Sequence, residues 1–167
     1  RYLTCSVSQG GTMNIMIVPV DGDEEPFPFM KTDFNEWEPT FSPDGRWVSF
    51  SSNESSLEEV YVAPFPGPGG KWQVSLQEGD RGVWRPDGQA IYYLDNQDRI
   101  NLAAVEASGD AVRVGRVETL FPVTAARPGN IYRLMDGGRK ILVNERNAVG
   151  DASTIILVQN WSREIGR

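Results

Sequence analysis

The chain contains no histidine and a single cysteine, Cys5, in 167 residues. Without imidazole, no Ser-His-Asp or Cys-His nucleophile system and no histidine-ligated metal site can be assembled from these residues alone. One thiol can neither close an internal disulfide nor hold a metal by thiolates. Cys5 aligns with the apolar Phe50 of the repeat set out below, and a small buried apolar role is expected for it. Long apolar runs are missing too, and nothing approaches the roughly 20 residues that cross a bilayer as a helix. Basic charge is scarce, with 16 Lys and Arg against 23 Asp and Glu, a net charge of −7. No basic stripe is available to track a phosphate backbone, so nucleic acid and anionic membrane surfaces are poor candidate partners.

Turn and strand material is plentiful. Seventeen Gly and eleven Pro punctuate short segments rich in Val, Ile, Tyr, Phe and Trp, a composition of hairpins rather than helices. One unit recurs. Residues 39–50 read Pro-Thr-Phe-Ser-Pro-Asp-Gly-Arg-Trp-Val-Ser-Phe, and residues 82–93 read Gly-Val-Trp-Arg-Pro-Asp-Gly-Gln-Ala-Ile-Tyr-Tyr, 43 residues later. A weaker third copy around Asp136 and Gly137 follows after 49 more, with Met135 where proline is expected. All-strand repeats of about 40–45 residues are the mark of propeller blades. The expected fold is therefore all-β, a partial β-propeller of about four blades at 1–32, 36–77, 79–121 and 123–161. Fourteen strands are expected, at 2–6, 13–20, 26–30, 38–41, 47–51, 59–64, 71–75, 82–85, 90–94, 100–106, 112–120, 131–134, 140–145 and 154–160.

The acidic residues divide by position. Asp44 and Asp87 could serve as an acid/base pair of the kind used on glycosides. Their identical place in successive repeats instead predicts a turn role, shared with Gly45, Gly88, Asp136 and Gly137: aspartate caps nearby backbone N–H groups and glycine takes the positive φ. Asp21-Gly22-Asp23-Glu24-Glu25 lacks the ligand spacing of a calcium loop, and Asp95-Asn96-Gln97-Asp98 sits where a hairpin must turn; both read as solvated hairpins. Glu58 and Glu59 adjoin on a strand, which sends them to opposite faces. No catalytic residue, metal or cofactor is expected. Candidate binding residues are aromatic. Trp37 precedes an innermost strand and could face the central channel, while Phe65 and Trp72 flank the proline-rich loop 64–72, which could offer them to a partner. Trp72 could equally be a core residue of its strand, and Trp47 and Trp84 are placed between blades. Residues 127–130, Arg-Pro-Gly-Asn, form a further turn.

Residues 1–6 align with 46–51, so the chain is expected to start just after a Pro-Asp-Gly turn and to be the C-terminal part of a longer protein. The first blade then lacks its innermost strand and the last its outermost. Open edges of this kind predict closure by further blades or self-association.

Residues 41–48 followed by Val60-Tyr61-Val62 resemble the WD-repeat-like blade of TolB-type propellers. Residues 34–39, Phe-Asn-Glu-Trp-Glu-Pro, with 59–72 and the ending 155–161, are similar to the C-terminal propellers of bacterial eukaryotic-like serine/threonine protein kinases. That resemblance implies an upstream kinase domain and membrane span, an extracytoplasmic location, and a sensor or interaction role for the propeller. The chain itself has no Gly-rich loop with a following Lys, no His-Arg-Asp and no Asp-Phe-Gly, and no Gly-x-Ser-x-Gly of a peptidase. A sialidase-type Ser-x-Asp-x-Gly-x-x-Trp turn fails in spacing, since Gly45 directly follows Asp44. The expected function is non-catalytic binding of a protein, peptide or small ligand at the propeller mouth, with membrane contact only through upstream segments. The alternatives are a TolB-like translocation or periplasmic scaffold, and less favoured a glycosidase-type or peptidase-associated propeller.

Overall fold

The computed structural model describes residues 1–67, 69–124, 132–146 and 153–159. The turn at 127–130, the expected strand start at Ile131 and the ending at 160–161 lie outside them.

Fourteen strands form four antiparallel sheets among the described residues. The first sheet joins β1 (Tyr2–Gln9), β2 (Thr12–Pro19) and β3 (Phe27–Met30). The second joins β4 (Glu36–Phe41), β5 (Trp47–Ser52), β6 (Glu59–Pro64) and β7 (Trp72–Gln73). The third joins β8 (Asp80–Trp84), β9 (Ala90–Leu94), β10 (Arg99–Ser108) and β11 (Ala111–Pro122), and the fourth β12 (Tyr132–Met135), β13 (Lys140–Arg146) and β14 (Ser153–Gln159). Within each sheet the strands pair in chain order, each with the next. One short 3₁₀ turn, Asp136–Gly138, is the only helical element among the described residues.

The strands β5, β6 and β9 are buried along nearly their whole length because both faces are covered, and the two-residue period decides which seam each side chain enters. In β9, Ile91 and Tyr93 join the core between the second and third sheets, while Tyr92 and Leu94 join the core between the third and fourth. In β6, Val60 and Val62 face the third sheet and Tyr61 and Ala63 the first. The apolar interior is thus a series of seams. At the first seam the Phe65 ring packs on Tyr2 and Phe41, each at 5.0 Å between centroids, and on Phe29 at 6.3 Å. At the next, Trp47 meets Trp72 edge to face at 5.8 Å and lies in one core with Trp84.

The turns follow the repeat. Gly45 N–H closes onto the Ser42 carbonyl at 2.9 Å with φ of 71°. Ser42 Oγ donates to Asp44 Oδ1 at 2.6 Å and accepts from Trp47 N–H at 3.0 Å, and Asp44 also accepts from Arg46 N–H at 3.1 Å. In the third sheet Arg85 replaces Ser42. Its Nε donates to Asp87 at 2.8 Å, while Gln89 N–H reaches Asp87 at 2.9 Å and Gly88 N–H the Arg85 carbonyl at 2.8 Å. The third copy departs: without proline, Asp136, Gly137 and Gly138 all take positive φ, at 53°, 65° and 83°.

Several expectations are corrected. Cys5 is half-buried, because β1 is hydrogen-bonded on one side only among the described residues and Tyr2, Leu3 and Val7 stay exposed. Asp95 is buried, and its carboxylate accepts from the backbone N–H groups of Gln97 and Arg99, Arg99 Nε and Asn101 Nδ2. It organises its hairpin from inside. The strand β7 is shorter than expected because Ser75 Oγ takes the Val60 N–H at 2.9 Å, a side chain replacing the next ladder bond. The β10–β11 hairpin is longer than expected.

Candidate functional site

The innermost strands β4 and β8 carry the same defect at the same place in the repeat. Between the pairs Trp37↔Ser51 and Thr40↔Ser49, two residues of β4 oppose one of β5; between Asp80↔Leu94 and Val83↔Tyr92, two of β8 oppose one of β9. Each is a β-bulge, which kinks a strand and re-aims its side chains. The first bulge residue takes a left-handed backbone in both, Glu38 at φ 55° and Arg81 at φ 60°, a conformation that costs a non-glycine residue roughly 1–3 kcal/mol.

Hydroxyls of the preceding sheet hold these bulges. Glu38 N–H donates to Ser6 Oγ and Arg81 N–H to Ser51 Oγ, both at 3.2 Å. Thr4 Oγ1 donates to the Pro39 carbonyl at 3.1 Å, and Ser49 Oγ to the Gly82 carbonyl at 3.3 Å. The Tyr132 hydroxyl, from the fourth sheet, donates to the Arg81 carbonyl at 2.6 Å. All four sheets are thereby tied together around the bulges of β4 and β8.

There they enclose a pocket of about 180 Å³ lined by Glu38, Pro39, Thr40, Arg81, Gly82, Val83, Tyr132 and Arg133. Arg81 Nη1 lies 2.5 Å from Glu38 Oε1 and its Nε 3.5 Å from Asp80 Oδ2. Glu38 Oε2 is buried with no hydrogen-bond partner. Burial raises the Glu38 carboxyl above its ordinary range, opposed by Arg81 and reinforced by the charges of Asp80 and Glu58. Burial, with Asp80 and Glu38, likewise pushes the Tyr132 phenol well up. A separate pocket of about 280 Å³ is lined by Glu58, Glu78, Gly79, Asp80, Leu94, Asp95, Asn96 and Asp98.

The aromatic candidates lie elsewhere. Trp37 is half-buried on β4 itself, and its neighbour Glu38 lines the inner pocket in its place. Phe65 turns inward into the Tyr2, Phe29 and Phe41 cluster, and Trp72 packs on Trp47, so both rings are engaged within the chain. Asp44 and Asp87 come to one cleft of about 660 Å³ between their turns. Each remains bound to its own arginine. Burial raises the Asp44 carboxyl, but hydrogen bonds from Ser42 and Arg46 outweigh it and hold the pKa at about 2. The Arg85 hydrogen bond lowers Asp87. A glycosidase-type pair needs one member protonated near neutral pH; here both are held ionised. Asp21 is exposed beside Arg1, in keeping with a solvated hairpin. Glu58 is exposed and Glu59 buried, as alternation requires.

The pocket residues Glu38, Arg81 and Tyr132 carry no motif. The available signal was positional: Glu38 and Arg81 are 43 residues apart, the period of the repeat, and Ser6 and Ser51 share the alignment of 1–6 with 46–51.

No family model matches the sequence, and no curated protein matches it. Solved structures do. TolB from Acinetobacter baumannii superposes with a TM-score of 0.70 at 16% identity, over 97% of this chain and 39% of that one. A protein described as TolB from Agrobacterium tumefaciens gives 0.70 at 16% identity, over 95% and 57%. One described as a 6-phosphogluconolactonase from Bacteroides uniformis gives 0.50 at 17% identity, over 88% and 48%. The fold is that of a TolB-type β-propeller. At these identities the likeness concerns the fold alone, and the chain spans less than two thirds of each of these proteins.

Proposed function

We propose that this chain is a non-catalytic propeller module that binds a protein, peptide or small ligand at the pocket between its innermost strands. The observation that carries the reading is the pair of repeat-equivalent bulges, which hold Glu38 and Arg81 in strained backbone and leave Glu38 Oε2 buried and unpartnered beside a cavity. Strain kept at one place in two repeats, with an unsatisfied acceptor next to it, is the arrangement of a binding site. Against catalysis stand the turn aspartates, both held ionised.

Two settings for the module are part of the proposal. The resemblance of 34–39 and 59–72 supports the sensor or interaction region of a bacterial serine/threonine protein kinase, on the extracytoplasmic side. The fold likeness supports a TolB-like periplasmic scaffold at least as well. Sequence upstream of Arg1 separates them by the presence or absence of a kinase domain.

The binding reading is tested by thermal shift against a library of short peptides and small molecules, since a ligand that binds the folded state raises the Tm by linkage. At least one stabilising ligand is expected, and Thr40→Trp, which fills the pocket, should abolish its effect. Ligands whose effect survives Thr40→Trp would place binding elsewhere and defeat the reading.

A further inference from the structure

We propose that the outer end of β10, residues 105–108, is a docking edge for an extended peptide segment without net charge, which adds to the third sheet as a further strand, in line with β9, in the cleft between the turns at Asp44 and Asp87. This goes beyond the binding reading above, since the cleft shares no lining residue with the inner-strand pocket.

The direction of the main chain is the first argument. The Arg99 carbonyl accepts from Asp95 N–H at 3.0 Å, and Val105 N–H donates to the Gln89 carbonyl at 2.9 Å. The odd-numbered residues of β10 thus turn their main-chain groups toward β9, because both groups of one strand residue point to the same side and the side alternates along the strand. Ala107 follows the same alternation, while Glu106 and Ser108 face Arg113 and Ala111 across the β11 ladder. But β9 begins at Ala90, opposite Ala104. Past Val105 no described strand lies beside β10 on that side. The Val105 carbonyl and the Ala107 N–H and carbonyl therefore form an open edge.

Strand addition uses an edge of this kind, with the partner's main chain supplying the bonds. The second sheet closes its equivalent edge. There Phe65 N–H donates to the Arg46 carbonyl at 2.8 Å, in the place of Val105 and Gln89, and β6 has already ended at Pro64, with Pro66 next after Phe65. Proline on an edge blocks further pairing, and residues 105–108 contain none. The open edge also has space beside it. Ala104, Val105, Glu106 and Ala107 line the cleft of about 660 Å³, within the roughly 300–1,000 Å³ that holds a drug-sized molecule and so a few residues of peptide. Charges in its wall pair off, Arg46 with Asp44, Arg85 with Asp87 and Glu106 with Arg113, which suits an occupant without net charge. Arg46 and Arg85 hold their aspartates through Nε, and their Nη atoms make no hydrogen bond among the described residues. Those donors remain for a peptide's carbonyls.

The experiment is calorimetric titration of the 167-residue chain with the N-acetylated peptide amide Thr-Val-Thr-Val-Thr, with the same peptide N-methylated at every residue as control. The control keeps the side chains and lacks every main-chain donor. Binding of the unmethylated peptide is expected, roughly tenfold or more tighter than the control for two main-chain bonds, and changing less than about twofold between about 20 and 200 mM salt because the peptide carries no charge. Ala107→Pro removes the edge N–H and sets a ring on that side, while the bonds to β11 are left in place; it should weaken binding by roughly fivefold or more. The methylated control uses the unaltered chain, so the test holds even where Ala107→Pro disturbs the fold. No binding of the unmethylated peptide, equal binding of the methylated one, or binding unchanged in a folded Ala107→Pro chain would each overturn the proposal. Binding lost in Thr40→Trp would place the peptide in the inner-strand pocket, overturning strand addition while leaving the pocket reading standing.

Discussion

Replacing Gly82 by alanine isolates how closely the third sheet is seated on the second. Gly82 is the second residue of the β8 bulge and lines the inner pocket. A Cβ there would lie 2.7 Å from Val60 Cγ1 and 3.5 Å from Ile91 Cγ2, whereas carbon atoms rest at about 3.5–4.0 Å. Val60 is fully buried in the core between the second and third sheets. The overlap should therefore push β8 outward, at about 2 kcal/mol for an overpacked core, which for a chain of this size is a Tm lower by about 4–8 °C. Val60→Ala alone should cost a similar amount, about 2 kcal/mol for the lost methyl groups and the cavity they leave. The double variant removes the clashing methyl and supplies the alanine that occupies its space. It should cost no more than either single change, a coupling of about 2 kcal/mol, where independent sites add within about 0.5 kcal/mol. Reversible thermal or urea unfolding of the four proteins measures this cycle. A double variant as unstable as the sum of the singles would refute the claim that these two residues share one contact.

The other predictions concern single groups and edges. Asp44 is held at about 2 against an ordinary 3.8, so its turn contributes stability above about pH 4 that is lost as pH falls through about 2. The side chain is 46% exposed, which limits this to about 1 kcal/mol or less; Asp44→Asn should narrow the stability difference from wild type as pH falls across that window, and an unchanged difference in acid titration would contradict it. Tyr132→Phe removes the 2.6 Å donor to the Arg81 carbonyl, at about 1–2 kcal/mol and a Tm lower by roughly 2–8 °C; an unchanged Tm would show that the bond does not tie the fourth sheet to the bulge. The exposed Tyr2, Leu3 and Val7 lie on β1, which pairs on one side only among the described residues. The isolated chain should self-associate, and sedimentation that stays monomeric at high concentration would count against it.

The repeat was legible because its turns are local. Proline, aspartate and glycine set a hairpin within four residues, and a short continuous apolar run such as residues 90–94 declares a strand covered on both faces before any partner is known. The acidic hairpin at residues 95–98 was half legible: its turn is local, but the burial of Asp95 depends on Asn101 from the following strand. Phe65 shows the opposite case. Its proline-rich loop marks it as displayed, and the approach of Tyr2 and Phe29 from the neighbouring sheet, with Phe41 of its own, draws it inward.

The pocket belongs wholly to tertiary structure. Glu38, Arg81 and Tyr132 sit on three different sheets, and each is unremarked in its own stretch of sequence. Sequence alone determined that this chain builds strands, hairpins and a stack of similar sheets, since those depend on neighbours a few residues apart. Which carboxylate would be stripped of water, and which arginine would meet it, was decided only when two bulges and a tyrosine from separate sheets closed on the same few ångströms of space.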